Sequence, residues 1–136
     1  MKFRLFTLII PLLFVGMLHG QESFKVGANL AMEFDKMHIN LGKVKHGESR
    51  TSSFNFTNTG SEAIEIEIVD GCVCTTLDWP RKPIQPGEEA SISLVFDSTE
   101  KEKSETVDID VTLKNKDPET GNPIFIFLTY QFELVQ

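Results

Sequence analysis

Cys72 and Cys74 are the only cysteines of the chain, and a single residue, Val73, separates them in the stretch DGCVCTTLDWP (70–80). All thiol chemistry is therefore confined to three consecutive positions. On a regular strand both side chains would point to one face with alpha carbons about 6.5 to 7 Å apart, at or beyond the upper edge of disulfide geometry, roughly 6.8 Å. A bridge would need a kink. Gly71 can supply one just upstream, whereas the β-branched Val73 resists unusual backbone angles.

Four chemistries are open to such a pair. Two free, partly buried thiols would act as small apolar fillers. A local disulfide suits an exported, oxidising setting and would be redox active or incidental. Two thiolates on one face of a bend would bind copper or contribute half of a zinc shell, with His38, His46, Met32 and Met37 as the only further soft ligands after residue 20. An intermolecular bridge is the fourth. A cysteine nucleophile would need a histidine held against it, which only a tertiary approach of His38 or His46 could provide. The chain contains no phosphate-cradling glycine loop, zinc-protease helix or serine nucleophile elbow.

The elements that must position these residues read as strands. Phe54 and Phe56 alternate with Asn55 and Thr57 up to Asn58-Thr59-Gly60; Ile64, Ile66 and Ile68 alternate with Glu65 and Glu67 up to Asp70-Gly71. Ala90, Ile92, Leu94 and Phe96 form another apolar face, and Val107, Ile109, Val111 and Leu113 the most regular one. The last strand runs from Ile124 to Val135 after the loop KDPETGN. Gln85-Pro86-Gly87-Glu88 predicts a turn, proline presetting the backbone and glycine completing it. Asp97 to Glu105 is charged and reads as a solvated connection.

With MEFDKMHINLGKV as the first one or two, about seven strands are expected, and no stretch has an apolar stripe of helical period. Parallel sheets need long crossovers, which do not fit here. The expected fold is all-β, an antiparallel two-sheet sandwich with immunoglobulin-like topology; an eight-strand jelly roll or small barrel is the alternative. Eight phenylalanines follow residue 20, each worth roughly 1.5 to 3 kcal/mol when buried. They carry the packing, so the fold does not need the cysteines.

The chain opens with Lys2 and Arg4 before an uncharged, mostly apolar run of 14 residues, Leu5 to Leu18. That is the layout of a secretory signal peptide, and the run is short of the roughly 20 residues of a membrane-spanning helix. Residues 1–20 are expected to be the signal, 21–31 a leader and 32–136 the sandwich domain. Gln21 stands where a lipoprotein signal would need cysteine, so no lipid anchor and no membrane insertion are expected after cleavage. The mature chain has 11 Lys and Arg against 20 Asp and Glu, a formal charge of -9. Nucleic acid and anionic membrane are poor partners for it.

Several of these pieces together resemble a bacterial family, domain of unknown function 1573, whose members are exported and immunoglobulin-like. The resemblance runs from about Met32 to Asn115 and rests on MEFDKMHINLGKVKHGE, FNFTNTGSEAIEIEIV, GCVCTT and PIQPGEEASISLVFDST. This chain departs from the family pattern in having Val73 where the family has glycine between the cysteines, Gly71 for its serine, and Asn40-Leu41-Gly42 for its Asp-Phe-Gly. Similarity to extracellular and ciliary scaffold modules implies a binding or structural role.

The sequence thus leads to an exported, periplasmic or extracellular, non-catalytic binding or structural module. Its partner is expected to be an envelope or extracellular protein, and no cofactor is required. Phe125 and Phe127 make the nominally outer face of the last strand apolar, and are either covered by the leader around Phe24 and Val26 or available to a partner. Trp79, followed by Pro80, is the third candidate partner contact, with core or lid as its competing role. The alternative function is a copper or zinc carrier, or a thiol redox protein, working through Cys72 and Cys74.

Overall fold

Alternating apolar residues drive the described chain into nine strands: β1 (Glu22–Val26), β2 (Leu30–Phe34), β3 (His38–Lys45), β4 (Ser49–Asn58), β5 (Ile66–Asp70), β6 (Thr75–Asp78), β7 (Glu89–Asp97), β8 (Glu105–Lys116) and β9 (Pro123–Val135). The computed structural model describes residues 20–136. The expected signal peptide lies outside the described residues except for Gly20. The strands form two sheets, in the orders β1-β2-β4-β7-β6 and β3-β9-β8-β5. Each buries one face against the other, as a period-two pattern requires.

The expected all-β sandwich is thus present, with nine strands rather than about seven. One additional strand, β1, comes from residues 21–31, expected as a leader, and the other is the short β6: β1 pairs antiparallel with β2, Phe24 opposite Met32, and extends the first sheet. One pair also departs from the antiparallel expectation. β3 and β9 run parallel, His38 beside Thr129 and Val44 beside Leu134. No short connection is needed, because five strands intervene in the chain between them and supply the crossover.

The core is apolar and rich in rings. Tyr130, Phe34, Phe54 and Phe96 are among its largest fully buried side chains. Phe96 packs between the two sheets, its ring centroid 4.3 Å from that of Phe132 and 5.5 Å from that of Tyr130. Such tilted pairs add to the burial of their area. Val107, Ile109, Val111 and Leu113 of β8 and Ile124, Ile126 and Leu128 of β9 complete the second sheet's inner face.

Local chemistry sets the corners. Glu88 N–H donates to the Gln85 carbonyl at 3.0 Å, and Gly87 sits at φ 84°. That is the turn read from Pro86-Gly87, with glycine at the position that demands a positive φ. In β5 the alternation breaks. A register shift between Ile66 and Ile68 leaves Ile68 about half exposed (48%) while Val69 turns inward. The three isoleucines therefore do not share one face as expected; an extra residue in one strand of a pair redirects every side chain after it.

Candidate functional site

The cysteines lie where the chain leaves the second sheet for the first, between the end of β5 at Asp70 and the start of β6 at Thr75. This segment is a turn and not a strand. Thr75 N–H donates to the Cys72 carbonyl at 2.9 Å, closing a four-residue turn with Val73 and Cys74 at its centre. Among the described residues only glycines have positive φ, so Val73 needs no unusual backbone angle. Gly71 gives the turn room, since a Cβ there would fall 2.7 Å from Ile109 Cδ1.

In this turn Cys72 and Cys74 are joined by a disulfide, with alpha carbons 5.1 Å apart. The strand geometry expected from the Cys-Val-Cys pattern would have held them near the limit; the turn shortens the separation and brings them inside it. The expectations of free thiols and of an intermolecular bridge are corrected by this pairing. The metal expectation is also affected, because the thiolate is the metal ligand and an oxidised pair carries none. Among the described residues, no three His, Cys, Asp or Glu side chains are grouped to hold an ion.

The bridge ties only a tight turn to itself. Cross-linking so short a loop removes about 1.5 kcal/mol of unfolded-chain entropy, against about 3 kcal/mol for a 15-residue loop. It does not pin the two sheets.

Its surroundings are specific. Cys74 N–H donates to Cys72 Sγ at 3.0 Å. Cys74 Sγ faces two hydroxyls, Thr75 Oγ1 at 3.5 Å and Tyr130 Oη at 3.6 Å, which are 2.5 Å from each other. Tyr130 is fully buried, and burial pushes its phenol above the ordinary tyrosine value, partly opposed by the Thr75 hydrogen bond and reinforced by the Glu105 charge. On the solvent side a groove of about 330 Å³ is lined by Cys72, Val73, Cys74, Asp97, Thr99, Glu100 and Lys101. Val73 projects fully into solvent at its rim.

The connection after β7 builds the groove's far wall. Asp97 N–H donates to the Cys74 carbonyl at 2.9 Å, and Lys101 N–H to the Ser98 carbonyl at 3.0 Å. Thr99 donates to Asp97 Oδ1 from its hydroxyl and its N–H, and these bonds lower the Asp97 pKa. Ser98 is fully buried, its hydroxyl 2.7 Å from the Glu48 carbonyl and 3.1 Å from that of Lys45. The span expected as a solvated connection is thus anchored to the β3–β4 turn.

Among the described residues, no hydrogen bond joins either histidine to the sulfurs. His38 Nδ1 is 2.6 Å from Thr129 Oγ1, and Thr129 and Tyr130, adjacent on β9, point to opposite faces of the sheet. His46 N–H bonds to the Val135 carbonyl in the β3–β4 turn. The partners of Cys74 that sequence reasoning missed are Tyr130 and Thr75. One signal was available: a lone tyrosine on an apolar strand face must find a partner for its hydroxyl.

The other candidate contacts separate. Trp79 is partly buried and packs on the core, with the Arg81 guanidinium 3.5 Å from its ring centroid. Its lid role accounts for that geometry. Phe125 and Phe127 are 50% and 66% exposed. They share a surface cleft with Phe24 and Val26 of β1, so the N-terminal strand flanks the two aromatics without covering them. Register puts Phe125, Thr112 and Ile68 in one row of the outer face, and Phe127, Asp110 and Asp70 in the next.

The family described as "Protein of unknown function (DUF1573)" matches residues 32–123. No curated protein matches the chain. Among solved structures, the PapD-like domain 7 (ASH / PapD-like domain) of human CEP192 superposes with a TM-score of 0.64 at 8% identity, covering 99% of this chain and 98% of that one. A protein of unknown function from Porphyromonas gingivalis W83 gives a TM-score of 0.63 at 19% identity over 82% of this chain and 50% of its own. The VesB protease of Vibrio cholerae gives 0.59 at 15% identity over 77% of this chain and 32% of its own. The chain thus spans about a third of VesB and half of the P. gingivalis protein. These likenesses show an immunoglobulin-like sandwich fold and nothing about activity.

Proposed function

The chain belongs to the DUF1573 family, and from that premise we propose that it is an exported, non-catalytic binding or structural module acting in the periplasm or outside the cell. The observation that carries this reading is the pair Phe125 and Phe127, half or more exposed on the outer face of a sheet. Two adjacent exposed aromatics cost solubility unless something covers them. Ile68 extends the apolar row, and Asp70, Asp108 and Asp110 stand on the same face. The partner that fits is an envelope or extracellular protein presenting an apolar patch rimmed by Lys or Arg.

Replacing Phe125 and Phe127 together by serine tests this. The proposal expects an unchanged thermal midpoint and loss of the proteins that copurify with the wild type from its own envelope. A lowered midpoint with unchanged association would mean that the aromatics serve the fold alone.

A second reading is a thiol redox protein working through Cys72 and Cys74. The intramolecular bridge favours it over a copper or zinc carrier, which needs both sulfurs as thiolates. Thiol titration and metal analysis of protein taken from its native compartment distinguish the two. A stoichiometric metal lost on Cys72→Ser would restore the carrier.

A further inference from the structure

We infer that the Cys72–Cys74 turn is a directional thiol–disulfide exchange site that oxidises a dithiol carried on a neutral or basic protein segment, with Cys72 as the sulfur attacked and Cys74 as the leaving group. This rests on the redox reading above and adds to it the order of events and the class of substrate.

Direction follows from the unequal surroundings of the two sulfurs. Exchange is faster when the departing thiolate is better stabilised. Cys74 Sγ faces the Thr75 and Tyr130 hydroxyls, at 3.5 and 3.6 Å. Those hydroxyls are themselves 2.5 Å apart, so when one donates to the other, the second has its proton free for the sulfur. Either arrangement leaves one O–H within reach of Cys74 and free to donate to it. Cys72 Sγ has a single backbone amide, that of Cys74. The buried Tyr130 also closes the inner side of Cys74, leaving the groove as the approach.

The reaction balances without another reagent. A substrate thiolate attacks Cys72 Sγ; a new sulfur–sulfur bond forms there, and the pair of electrons of the Cys72–Cys74 bond leaves on Cys74. The Cys74 thiolate is held by the hydroxyls and takes a proton from solvent, replacing the one lost by the attacking thiol. The second substrate thiolate then attacks the substrate sulfur of the mixed disulfide and expels Cys72, which takes the second proton. The substrate has lost two electrons and two protons, and the protein has gained them.

The groove selects the substrate. Val73, fully exposed at its rim, offers an apolar contact for an extended segment. The charges facing the sulfurs are Asp97 at the end of β7 and Glu100 and Lys101 from the β7–β8 connection, and Lys101 is paired with Glu105. The balance is acidic, which favours basic flanks on the incoming segment.

The test uses the full chain, oxidised, with glutathione and dithiothreitol as probes. After brief exposure to glutathione, acid quench and alkylation, mass spectrometry is expected to find glutathione on Cys72 and the alkyl group on Cys74. Reduction by dithiothreitol is expected to slow by about 3- to 10-fold in the Tyr130→Phe, Thr75→Val double variant, since either hydroxyl alone can still donate to Cys74, and to stay at the wild-type rate in Thr75→Ser. Circular dichroism confirms that each variant is folded, and the position of the glutathione adduct carries the test if the double variant is not. A dithiol peptide with lysine flanks is expected to react faster than one with glutamate flanks at low salt.

If the folded wild type is not reduced by dithiothreitol at all, the redox reading itself falls. If it is reduced but glutathione sits on Cys74, or the folded double variant keeps the wild-type rate, only the assignment of the leaving sulfur is overturned. Equal rates for the two peptides overturn the substrate class.

Discussion

Asn58 and Ile84, 26 positions apart, are joined by a buried hydrogen bond of 2.9 Å from Asn58 Nδ2 to the Ile84 carbonyl. The same amide donates to the Glu62 carbonyl at 2.9 Å, and its oxygen accepts from Gly60 N–H at 3.0 Å. Asn58 is fully buried at the end of β4, where the chain crosses toward the second sheet. One side chain thus bonds three backbone groups; the Ile84 carbonyl also accepts from Ile64 N–H, while the Glu62 carbonyl and Gly60 N–H depend on Asn58.

Removing it leaves the part-buried Glu62 carbonyl and Gly60 N–H without a protein partner and empties a buried site at the Ile84 carbonyl. An unsatisfied buried donor or acceptor costs about 1 to 3 kcal/mol. Asn58→Ala is expected to destabilise by about 2 to 4 kcal/mol, read as a lower denaturant midpoint with an unchanged slope. A loss within 0.5 kcal/mol would mean that the crossover is held by its own backbone bonds.

Tyr130 gives a prediction at the alkaline end. It is the only tyrosine of the chain, and burial raises its pKa above the ordinary value. A group that stays protonated longer when folded adds stability below its unfolded pKa, near 10, and loses it as pH rises through the folded value. Tyrosinate absorbance should therefore appear only above pH 10 and together with loss of the native circular dichroism. Tyr130→Phe should tolerate higher pH. Tyrosinate forming in the native state near pH 10 would contradict the buried hydroxyl.

Lys101 and Glu105 act at the acidic end. Lys101 Nζ lies 2.5 Å from Glu105 Oε2, and this hydrogen bond, against some desolvation, holds Glu105 below the ordinary glutamate value. A depressed carboxylate adds stability above its unfolded pKa and loses it as pH falls through the folded one. The stability gap between wild type and Lys101→Gln should be small but present at pH 7 and should close as pH falls below about 4.3, the ordinary glutamate value. Parallel pH profiles would remove the pair from the account. Partial exposure and salt both limit its size.

These residues divide by how far the sequence announces them. The faces of β7, β8 and β9 are legible because alternation is local, and so is the Gln85–Glu88 turn, whose proline and glycine specify their own angles. β1 is not, because Phe24 and Val26 are too few to mark a strand without β2 beside them. The parallel pairing of β3 with β9 and the hydrogen bond between Thr75 and Tyr130 depend on packing between distant segments. The cysteine turn shows the limit most clearly: Cys-Val-Cys has the pattern of a strand, and only closure of the Cys72–Thr75 hydrogen bond makes it a turn.

The disulfide's small share in stability can be tested directly. It spans one residue and lies within a single turn, while the sheets are held by buried rings such as Phe34, Phe54 and Phe96. The Cys72→Ser, Cys74→Ser double variant is expected to fold to the same circular dichroism spectrum. Its thermal midpoint should fall by less than about 10 °C, as follows from about 1.5 kcal/mol of lost chain constraint. Phe96→Ala should cost about 3 to 5 kcal/mol, well beyond the double serine change. The reverse order would mean that the turn, and not the aromatic layer, holds the sandwich closed. The disulfide would then be a structural staple, and its sulfurs would not be free to serve exchange without loosening the fold.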